Sequence, residues 1–255
     1  MSSALDAIQE LDVCAIDGWT LHEFAEVTST SSLAAHLPPW SAVAATVQTA
    51  GRGRTGRHWV SDEGGLWLSA VVPTPGDPAL WTLLPLAAGW AVLGAARDLG
   101  VVEARLRWPN DILVGRRKLA GILVDRFSAE AAVVGIGLNV SNRPGAVDEA
   151  LATEATRLAD LLPAAPARAA LLVRLLAALT REHHRLEVGN FTGLCRDLNT
   201  AWVHRHVQVT LAAGRGVLNG HFDGIDSHGS LLLRNAGGEC RVLPAHQVEL
   251  FREIY

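Results

Sequence analysis

Lysine is almost absent from this chain. Of the 22 basic residues among 255, 21 are arginine and one is Lys118. One interpretation is drift from lysine to arginine, with a single chance survivor. The other is that position 118 needs a compact ammonium on a slender stem, which the planar guanidinium of arginine does not replace. Both interpretations are open at this point, and Lys118 becomes a candidate functional residue.

Cysteine and long apolar runs are scarce too. Cys14, Cys195 and Cys240 are odd in number and widely spaced, which indicates neither a disulfide framework nor a close-spaced zinc motif. No apolar stretch approaches the roughly 20 residues that a membrane helix needs, and no basic segment followed by an apolar run opens the chain. We therefore expect a cytoplasmic protein that has no membrane partner and no metal site built from its own side chains.

A glycine and arginine loop covers Gly51-Arg52-Gly53-Arg54-Thr55-Gly56-Arg57. The net charge of −4 argues against nucleic-acid binding by the whole surface, but this loop concentrates three guanidinium groups and several unhindered backbone N–H groups. Such a loop can hold a phosphate. A solvated basic turn and an RNA-binding arginine-glycine patch are the alternatives. The spacing fits neither a Walker loop nor a dinucleotide fingerprint.

The apolar pattern predicts an α+β fold, a mixed β-sheet with helices on one face. The predicted strands are Trp19–Glu26, Ala42–Gln48, Leu66–Val72, Glu103–Arg107, Asp111–Val114, Lys118–Phe127 and Ala131–Val140. The predicted helices are Thr30–His36, one from Asp77-Pro78 to near Gly100, Thr156–Leu162, Pro166–Leu186 and Phe191–Trp202. The residues before Trp19 are interpreted as a lead-in, and a three-residue turn at Gly115-Arg116-Arg117 joins two strands.

After Trp202 the helical pattern stops. Five short strands separated by glycine turns predict a small C-terminal β-barrel, at Val207–Leu211, Gly216–Ile225, Ser230–Arg234, Glu239–Leu243 and Gln247–Phe251. The predicted division of the chain is therefore 1–202 and 203–255.

Three further blocks combine polar residues with glycine or proline, at Arg107–Asp111, Lys118–Leu123 and Gly135–Val140. Asn110 and Asp111 lie between strands, where a turn could direct an amide and a carboxylate at a phosphate-bound magnesium ion. Taken alone, an Asn-Asp turn is more often structural.

These blocks, in this order, closely resemble the biotin protein ligase family, part of the wider biotin/lipoate ligase fold. The resemblance covers Ser29-Thr30, Gln48, the loop to Trp59, Trp-Pro-Asn-Asp, Lys-Leu-Ala-Gly and Gly-x-Gly-x-Asn. It implies a class II synthetase-like sheet with an SH3-like C-terminal barrel. It also implies that biotin attacks the α-phosphate of ATP, in the presence of Mg²⁺, to give biotinyl-adenylate and pyrophosphate. The biotinyl group then passes to a lysine of a biotin carboxyl carrier protein or domain of a biotin-dependent carboxylase.

The resemblance also implies roles for individual residues. Ser29, Thr30, Gln48 and the backbone at Gly51 and Arg52 are expected to hold the ureido ring and carboxylate of biotin. Gly121, Gly135 and Gly137 are expected to line its pocket. Lys118 is expected to bridge the carboxylate and the α-phosphate, with Arg54, Arg57 and Trp59 on the nucleotide side. Asn110, Asp111 and Asn139 are expected at phosphate, magnesium or adenine contacts, and the catalytic set is Lys118, Arg54 and Arg57.

Two positions depart from the family pattern. Ser31 stands where the family usually has asparagine, and Arg107 stands where it usually has lysine, so each position stays polar or cationic. About 18 residues precede the first predicted strand, too few for the winged helix-turn-helix of some members, so no DNA operator is expected. A lipoate ligase and a non-catalytic anion- or RNA-binding relative are the alternatives, and a homodimer is possible.

Overall fold

A computed structural model describes residues 10–76, 78–202 and 205–254, apart from the side chains of 78–80. Its main strands are β1 (Glu10–Ile16), β2 (Trp19–Val27), β3 (Ser41–Gln48), β4 (Leu66–Pro73), β5 (Ala104–Arg107), β6 (Asp111–Val114), β7 (Arg117–Arg126) and β8 (Ala131–Leu138). The helices are α1 (Thr30–Ala34), α2 (Leu84–Asp98), α3 (Pro144–Val147), α4 (Leu151–Glu154), α5 (Arg168–Glu187) and α6 (Phe191–Ala201). No helix among these residues is long and apolar enough to span a membrane.

The first eight strands form one mixed sheet in the order β1-β2-β3-β4-β8-β7-β6-β5. Strands β2 and β3 are parallel, joined through α1, and the other recorded pairs are antiparallel. In β4 successive side chains alternate between the two faces, so that Leu68 and Ala70 face one way and Ser69 and Val71 the other. The predicted mixed sheet is confirmed.

The two long helices, α2 and α5, cover one face of this sheet. Nearly every side of α2 is apolar because the helix packs against both the sheet and α5. The short α1 lies on the opposite face, where Ala34 packs against Val43, Val71 and Val133. The prediction of helices on one face is therefore confirmed for the long helices, and the rest of the opposite face is left for the pocket.

The C-terminal strands are β9 (His206–Leu211), β10 (Val217–Ile225), β11 (Leu231–Arg234), β12 (Cys240–Leu243) and β13 (Val248–Glu253). They form an antiparallel sheet in the order β12-β11-β10-β9-β13. The predicted small C-terminal antiparallel sheet is confirmed, and its closure into an SH3-like barrel stays a prediction. Its buried side chains belong to the same hydrophobic cluster as the main sheet. The division at 202/203 stays a prediction, and residues 203–204 lie outside the described ones.

Several predicted elements are wrong in detail. The lead-in contains β1, which pairs with β2 through a turn at Asp17-Gly18, with φ of 46° and 87°. An Asp-Gly dipeptide favours a tight hairpin turn, and it is the sequence signal for the β1–β2 hairpin. The predicted helix Thr156–Leu162 is only a 3-10 turn at Leu158–Asp160, held by the backbone carbonyls of Asn139 and Val140.

The other differences concern ends and short elements. The long helix opens as a 3-10 segment at Pro78–Leu83 and becomes α-helical at Leu84, and the predicted cap Asp77 lies outside the described residues. The turn between β6 and β7 has two residues, Gly115-Arg116, because Val114 pairs with Arg117. The short α3 and α4 were not predicted.

Candidate active site

A cavity of about 600 Å³ lies on the sheet face opposite α2 and α5. The arginine-glycine loop and strand β13 close its sides. Its lining includes these predicted residues: Ser29, Thr30, Gln48, Arg52, Arg54, Arg57, Trp59, Asn110, Asp111, Lys118, Gly121, Gly135, Gly137 and Asn139. Gly51 lies just behind the wall, where a Cβ would collide with Ser61 Oγ and the carbonyl of Trp59. The structure thus brings together residues up to 110 positions apart in sequence, from Ser29 to Asn139.

Glycines form the floor of the cavity. Gly121 of β7 and Gly137 of β8 are paired across the two strands, and Trp59 lies over both. A Cβ at Gly137 would stand 2.5 Å from Trp59 Nε1, and one at Gly121 would stand 2.9 Å from Trp59 Cζ3. The indole N–H is buried without a hydrogen-bond partner in the described structure. It faces Gly137, so it becomes available as a donor to a ligand only when the indole moves away from the floor.

A neutral polar cluster forms one end of the cavity. Gln48 Oε1 accepts hydrogen bonds from the backbone N–H and the hydroxyl of Thr30, both at 2.9 Å. Gln48 Nε2 donates to Ser61 Oγ at 2.9 Å, which fixes the amide orientation. Ser69 Oγ lies 2.7 Å from Thr30 Oγ1 and 3.0 Å from Ser31 Oγ. We call Thr30, Ser31, Gln48 and Ser69 the hydroxyl-amide cluster.

Ser61 and Ser69 were not identified from the sequence. The available signal for Ser69 was a lone serine inside the apolar run Leu66–Pro73, because a buried hydroxyl in a strand needs partners. Ser29 precedes α1 and is buried, but its side chain makes no capping hydrogen bond.

The opposite end of the cavity is charged. Asp111 pairs with Lys118 Nζ at 2.6 Å through Oδ1 and with Arg107 at 2.6 Å through Oδ2. Burial alone would raise the pKa of Asp111, but Lys118 and Arg107 outweigh it, so the pKa lies below its ordinary value. Lys118 Nζ also lies 4.8 Å from the centre of the Trp59 ring. Asp111 is therefore an ionised counter-ion that fixes two cations.

The three arginines of the loop point in different directions. Arg54 donates from one nitrogen to the carbonyls of Ala245 and Val248, both at 2.9 Å, and burial lowers its pKa from the ordinary value. Arg57 is exposed and reaches the carbonyl of Glu249 at 3.3 Å. Arg52 pairs with Asp125 at 3.1 Å, with 46% of its side chain exposed.

Asn110 and Asn139 hold strand ends. Asn110 Nδ2 donates to the carbonyl of Ile122 at 2.6 Å. Asn139 Nδ2 donates to the carbonyl of Thr156 at 3.1 Å, and its Oδ1 accepts from Asn142 Nδ2 at 3.1 Å. In this structure both amides order the backbone around Lys118, so their expected ligand contacts stay predictions.

Sequence reasoning also missed the contribution of β13. Glu249, Arg252 and Glu253 line the cavity together with Arg116 and Glu154. No local pattern connects Arg54 to Val248, which lies 194 positions away.

The cavity has a glycine floor on a mixed sheet, the hydroxyl-amide cluster at one end and fixed cations at the other. These features define a site for a slender ligand held beside a polyanion. The chain belongs to the biotin/lipoate A/B protein ligase family, whose model matches residues 23–141. This confirms the resemblance recognised in the sequence.

The relatives agree with this assignment. A biotin-(acetyl-CoA-carboxylase) ligase of Mycobacterium tuberculosis is 38% identical over 208 residues, 79% of this chain and 75% of the relative. One from Paracoccus denitrificans is 31% identical over 240 residues, 88% of this chain and 98% of the relative. The biotin protein ligase of Aquifex aeolicus, solved in complex with biotin and ATP, superposes with a TM-score of 0.81 at 26% identity, over 92% of this chain and 99% of that one.

Proposed function

We propose that the protein is a biotin protein ligase, which activates biotin with ATP and transfers it to a lysine of a biotin carboxyl carrier protein or domain. The observation that carries this proposal is the polarity of the cavity. The hydroxyl-amide cluster lies near Gly135 at one end, and Lys118, Arg107 and Arg54 lie at the other. Between them Gly121 and Gly137 leave the strands bare beneath the Trp59 indole, and movement of this indole would open a slim passage for a ligand with a neutral head and an anionic tail.

The polar head of biotin favours this ligand over lipoate. A ureido ring carries two N–H donors and a carbonyl acceptor, which match the hydroxyls and amide of the cluster. The dithiolane ring of lipoate has no such groups, so it would gain no hydrogen bond from the remaining donor and acceptor positions of the cluster. The relatives named above, as biotin ligases, support the same choice.

The half-buried position of Arg54 argues against an RNA-binding patch. Arg54 is directed into the cavity and held by backbone carbonyls, whereas non-specific RNA binding uses solvent-facing cations along a surface.

The first step joins two anions. A carboxylate oxygen of biotin attacks the α-phosphorus of ATP, the bond to the bridging oxygen of the β-phosphate breaks, and pyrophosphate leaves. Lys118 and Arg54 reduce the repulsion between the reactants and stabilise charge on the phosphate oxygens, because they are fixed before the reaction. Arg57 and Trp59 complete the nucleotide side.

The second step consumes the mixed anhydride. The neutral amine of the acceptor lysine attacks the carbonyl carbon of biotinyl-adenylate, the bond to the phosphate oxygen breaks with AMP leaving, and the amide nitrogen loses a proton to water. The loop and β13 cover the cavity and keep water from the anhydride until the acceptor arrives.

Magnesium enters this scheme as part of the nucleotide substrate. No cluster of three His, Cys, Asp or Glu side chains that could hold a metal ion occurs in the described part of the chain. Both carboxylate oxygens of Asp111 are already paired with cations. The triphosphate itself would supply most of the ligands of the ion, as magnesium commonly requires.

The remaining assignments are part of the proposal. Ser29, Thr30, Gln48 and the backbone at Gly51 and Arg52 hold biotin, Gly121, Gly135 and Gly137 line its path, and Asn110, Asp111 and Asn139 order the phosphate side. Cytoplasmic location, absence of operator binding and a homodimer stay predictions of the sequence.

Pyrophosphate release in the presence of ATP, magnesium and either biotin or lipoate tests the proposal. Release should occur with biotin and not with lipoate, and a purified carrier domain should then become biotinylated. Thr30→Val keeps the shape of residue 30 but removes its hydroxyl, so it should weaken biotin use while leaving the ATP requirement in place. Absence of release with biotin would refute the function.

A further inference from the structure

Strand β13 and the short 3-10 turn before it, Ala245–Gln247, supply the acceptors that orient Arg54. One nitrogen of its guanidinium donates to the carbonyls of Ala245 and Val248, and Arg57 donates to that of Glu249. All three acceptors are backbone atoms. Replacing the side chain of Ala245, Val248 or Glu249 does not remove its carbonyl. The positions of these carbonyls therefore depend on where β13 and the turn before it lie.

Arg54 keeps its charge free for an incoming anion. The salt bridges recorded among the described residues do not include Arg54, and Asp111, the carboxylate at this end of the cavity, is already paired with Lys118 and Arg107. Its bound partners are neutral carbonyls, which satisfy N–H groups without neutralising the cation. The guanidinium is therefore both fixed and available.

Strand β13 is itself anchored to the main sheet by an ion pair. Arg105 of β5 forms two hydrogen bonds to the carboxylate of Glu253, one of them at 2.6 Å. Only 11% of the Arg105 side chain and 3% of the Glu253 side chain are exposed. A bidentate arginine-carboxylate pair fixes orientation as well as distance, and it joins the edge of the main sheet to the last strand.

We infer that the Arg105–Glu253 ion pair positions Arg54 for the nucleotide, by holding β13 at the place from which its carbonyls orient the guanidinium. Glu253 is thus a positioning residue that acts through β13. The inference deepens the proposed function and rests on it for the assignment of Arg54 to the phosphate side. The order of the loop itself does not depend on that function.

Glu253→Gln tests the inference because it keeps the size of the side chain and removes the charge. In the wild type the amides of Gly53, Arg57 and Trp59 are hydrogen-bonded within the loop. Hydrogen-deuterium exchange of peptides covering residues 52–60 should become faster in the variant. The KM for ATP should rise by about 10-fold to 10²-fold, the scale of a small misplacement of a positioned group. The KM for biotin should rise less than the KM for ATP, because the hydroxyl-amide cluster lies outside the loop and only the backbone near Arg52 and the indole of Trp59 would be affected.

Asp223→Asn is the matched control. It removes the ion pair of Asp223 with Arg234, which lies in the same C-terminal sheet but outside the cavity lining. Loop exchange and both KM values should match the wild type in this variant. Arg105→Lys is a second probe, which keeps the cation but loses the bidentate contact with Glu253. Hydrogen-deuterium exchange of residues 52–60 in this variant should be faster than in the wild type and slower than in Glu253→Gln.

Each outcome decides the inference. If hydrogen-deuterium exchange of residues 52–60 is unchanged in folded Glu253→Gln, the inference is overturned. Equal rises in the KM for ATP and the KM for biotin would also overturn it, because they would indicate general damage. If Glu253→Gln does not fold, the same criteria apply to Arg105→Lys. If the wild type releases no pyrophosphate with biotin, the proposed function fails, while loop exchange still decides whether the ion pair orders the loop.

Discussion

Lys118 lies where three features of the site meet. Its ammonium is 2.6 Å from Asp111, it faces the ring of Trp59, and its Nζ would be 3.1 Å from a Cβ at Gly121. A guanidinium at this place would be broader and planar, and it would have to displace the indole or lose Asp111. This geometry favours the functional interpretation of the single lysine over chance survival.

We predict that Lys118→Arg lowers the rate of biotin-dependent pyrophosphate release by about 10²-fold or more, the scale of losing one positioned electrostatic donor. The neighbouring exposed Arg117→Lys is the control and should keep wild-type turnover. Wild-type turnover in Lys118→Arg would contradict the role given to the ammonium.

Asp111 makes stability depend on pH. Its pKa is lower in the folded protein than in the unfolded chain, because Lys118 and Arg107 outweigh the effect of burial. Its ionised form therefore stabilises the fold. This contribution is complete above the unfolded value of about 3.9 and is lost as the pH falls through the lower folded value.

We predict that Asp111→Asn lowers the free energy of unfolding at pH 7 by about 1–3 kcal/mol, typical of losing hydrogen bonds to charged groups. The difference from the wild type should shrink as the pH falls below about 4. Urea denaturation at several pH values measures it. Asp197 and Asp223, whose pKa values are also lowered, are present in both proteins, so the difference isolates Asp111. A difference that is constant with pH would contradict this account.

The glycine floor gives a matched pair of substitutions. Gly137→Ala would place a methyl group 2.5 Å from Trp59 Nε1, so the indole must move, at a cost of about 1–3 kcal/mol in biotin binding free energy. Gly94→Ala lies in α2, where the nearest atom is 3.6 Å away, and it should stabilise the fold by about 0.5–1 kcal/mol. Calorimetric titration with biotin and urea denaturation separate the two effects. Equal biotin binding by Gly137→Ala and the wild type would contradict the proposal that Gly137 forms part of the floor of the biotin site.

Much of the site was predictable because its residues occur in short blocks. Lys118, Gly121, Gly137 and Asn139 are marked by glycine and polar neighbours within a few positions. Ser69 was not, because a serine in an apolar strand is also compatible with a neutral structural role. Its importance depends on Thr30 and Ser31, whose proximity arises only from the strand pairing and from α1.

At the scale of elements, the loop has one half-buried arginine, Arg54, and two exposed ones, Arg52 and Arg57. Arg54 has two carbonyl partners at 2.9 Å, whereas Arg57 has one at 3.3 Å and is exposed. The two side chains should therefore contribute unequally to closing the loop over an anhydride.

We predict that Arg54→Ala releases labelled biotinyl-adenylate into solution faster than the wild type does, and that Arg57→Ala has a smaller effect. Filter retention of the adenylate over time measures the release. Equal release by the two variants would show that the carbonyl contacts of Arg54 do not hold the loop.

Periodicity predicted the long elements and failed on short ones. Strand β4 and helix α5 carry enough turns or alternations to be recognised, and their predicted ends lie within two residues of the observed ones. The segment around Thr156 has an apolar pattern that fits a helix, but the carbonyls of Asn139 and Val140 take its backbone N–H groups. Local sequence patterns do not predict tertiary hydrogen bonds of this kind.

At the scale of the whole molecule, the two sheets share one hydrophobic cluster. Phe251 of β13 packs against Trp108 with ring centres 5.8 Å apart and against Phe222 at 5.9 Å. Trp108 Nε1 also donates to the carbonyl of Gly229 at 3.0 Å. The sequence predicted a division at 202/203, but it could not predict how much of the core would cross that line.

We predict that the chain unfolds in a single transition and that Phe251→Ala lowers the free energy of unfolding by about 3–5 kcal/mol, the cost of emptying a buried aromatic site. Tryptophan fluorescence and far-ultraviolet circular dichroism should give coincident urea curves, because Trp108 and the C-terminal sheet lose their packing together. Val242→Ala, at an edge position that is 52% exposed, is the control and should change stability by less than about 0.5 kcal/mol. Two separate transitions, with Phe251→Ala shifting only one of them, would show that the C-terminal sheet folds independently of the main sheet.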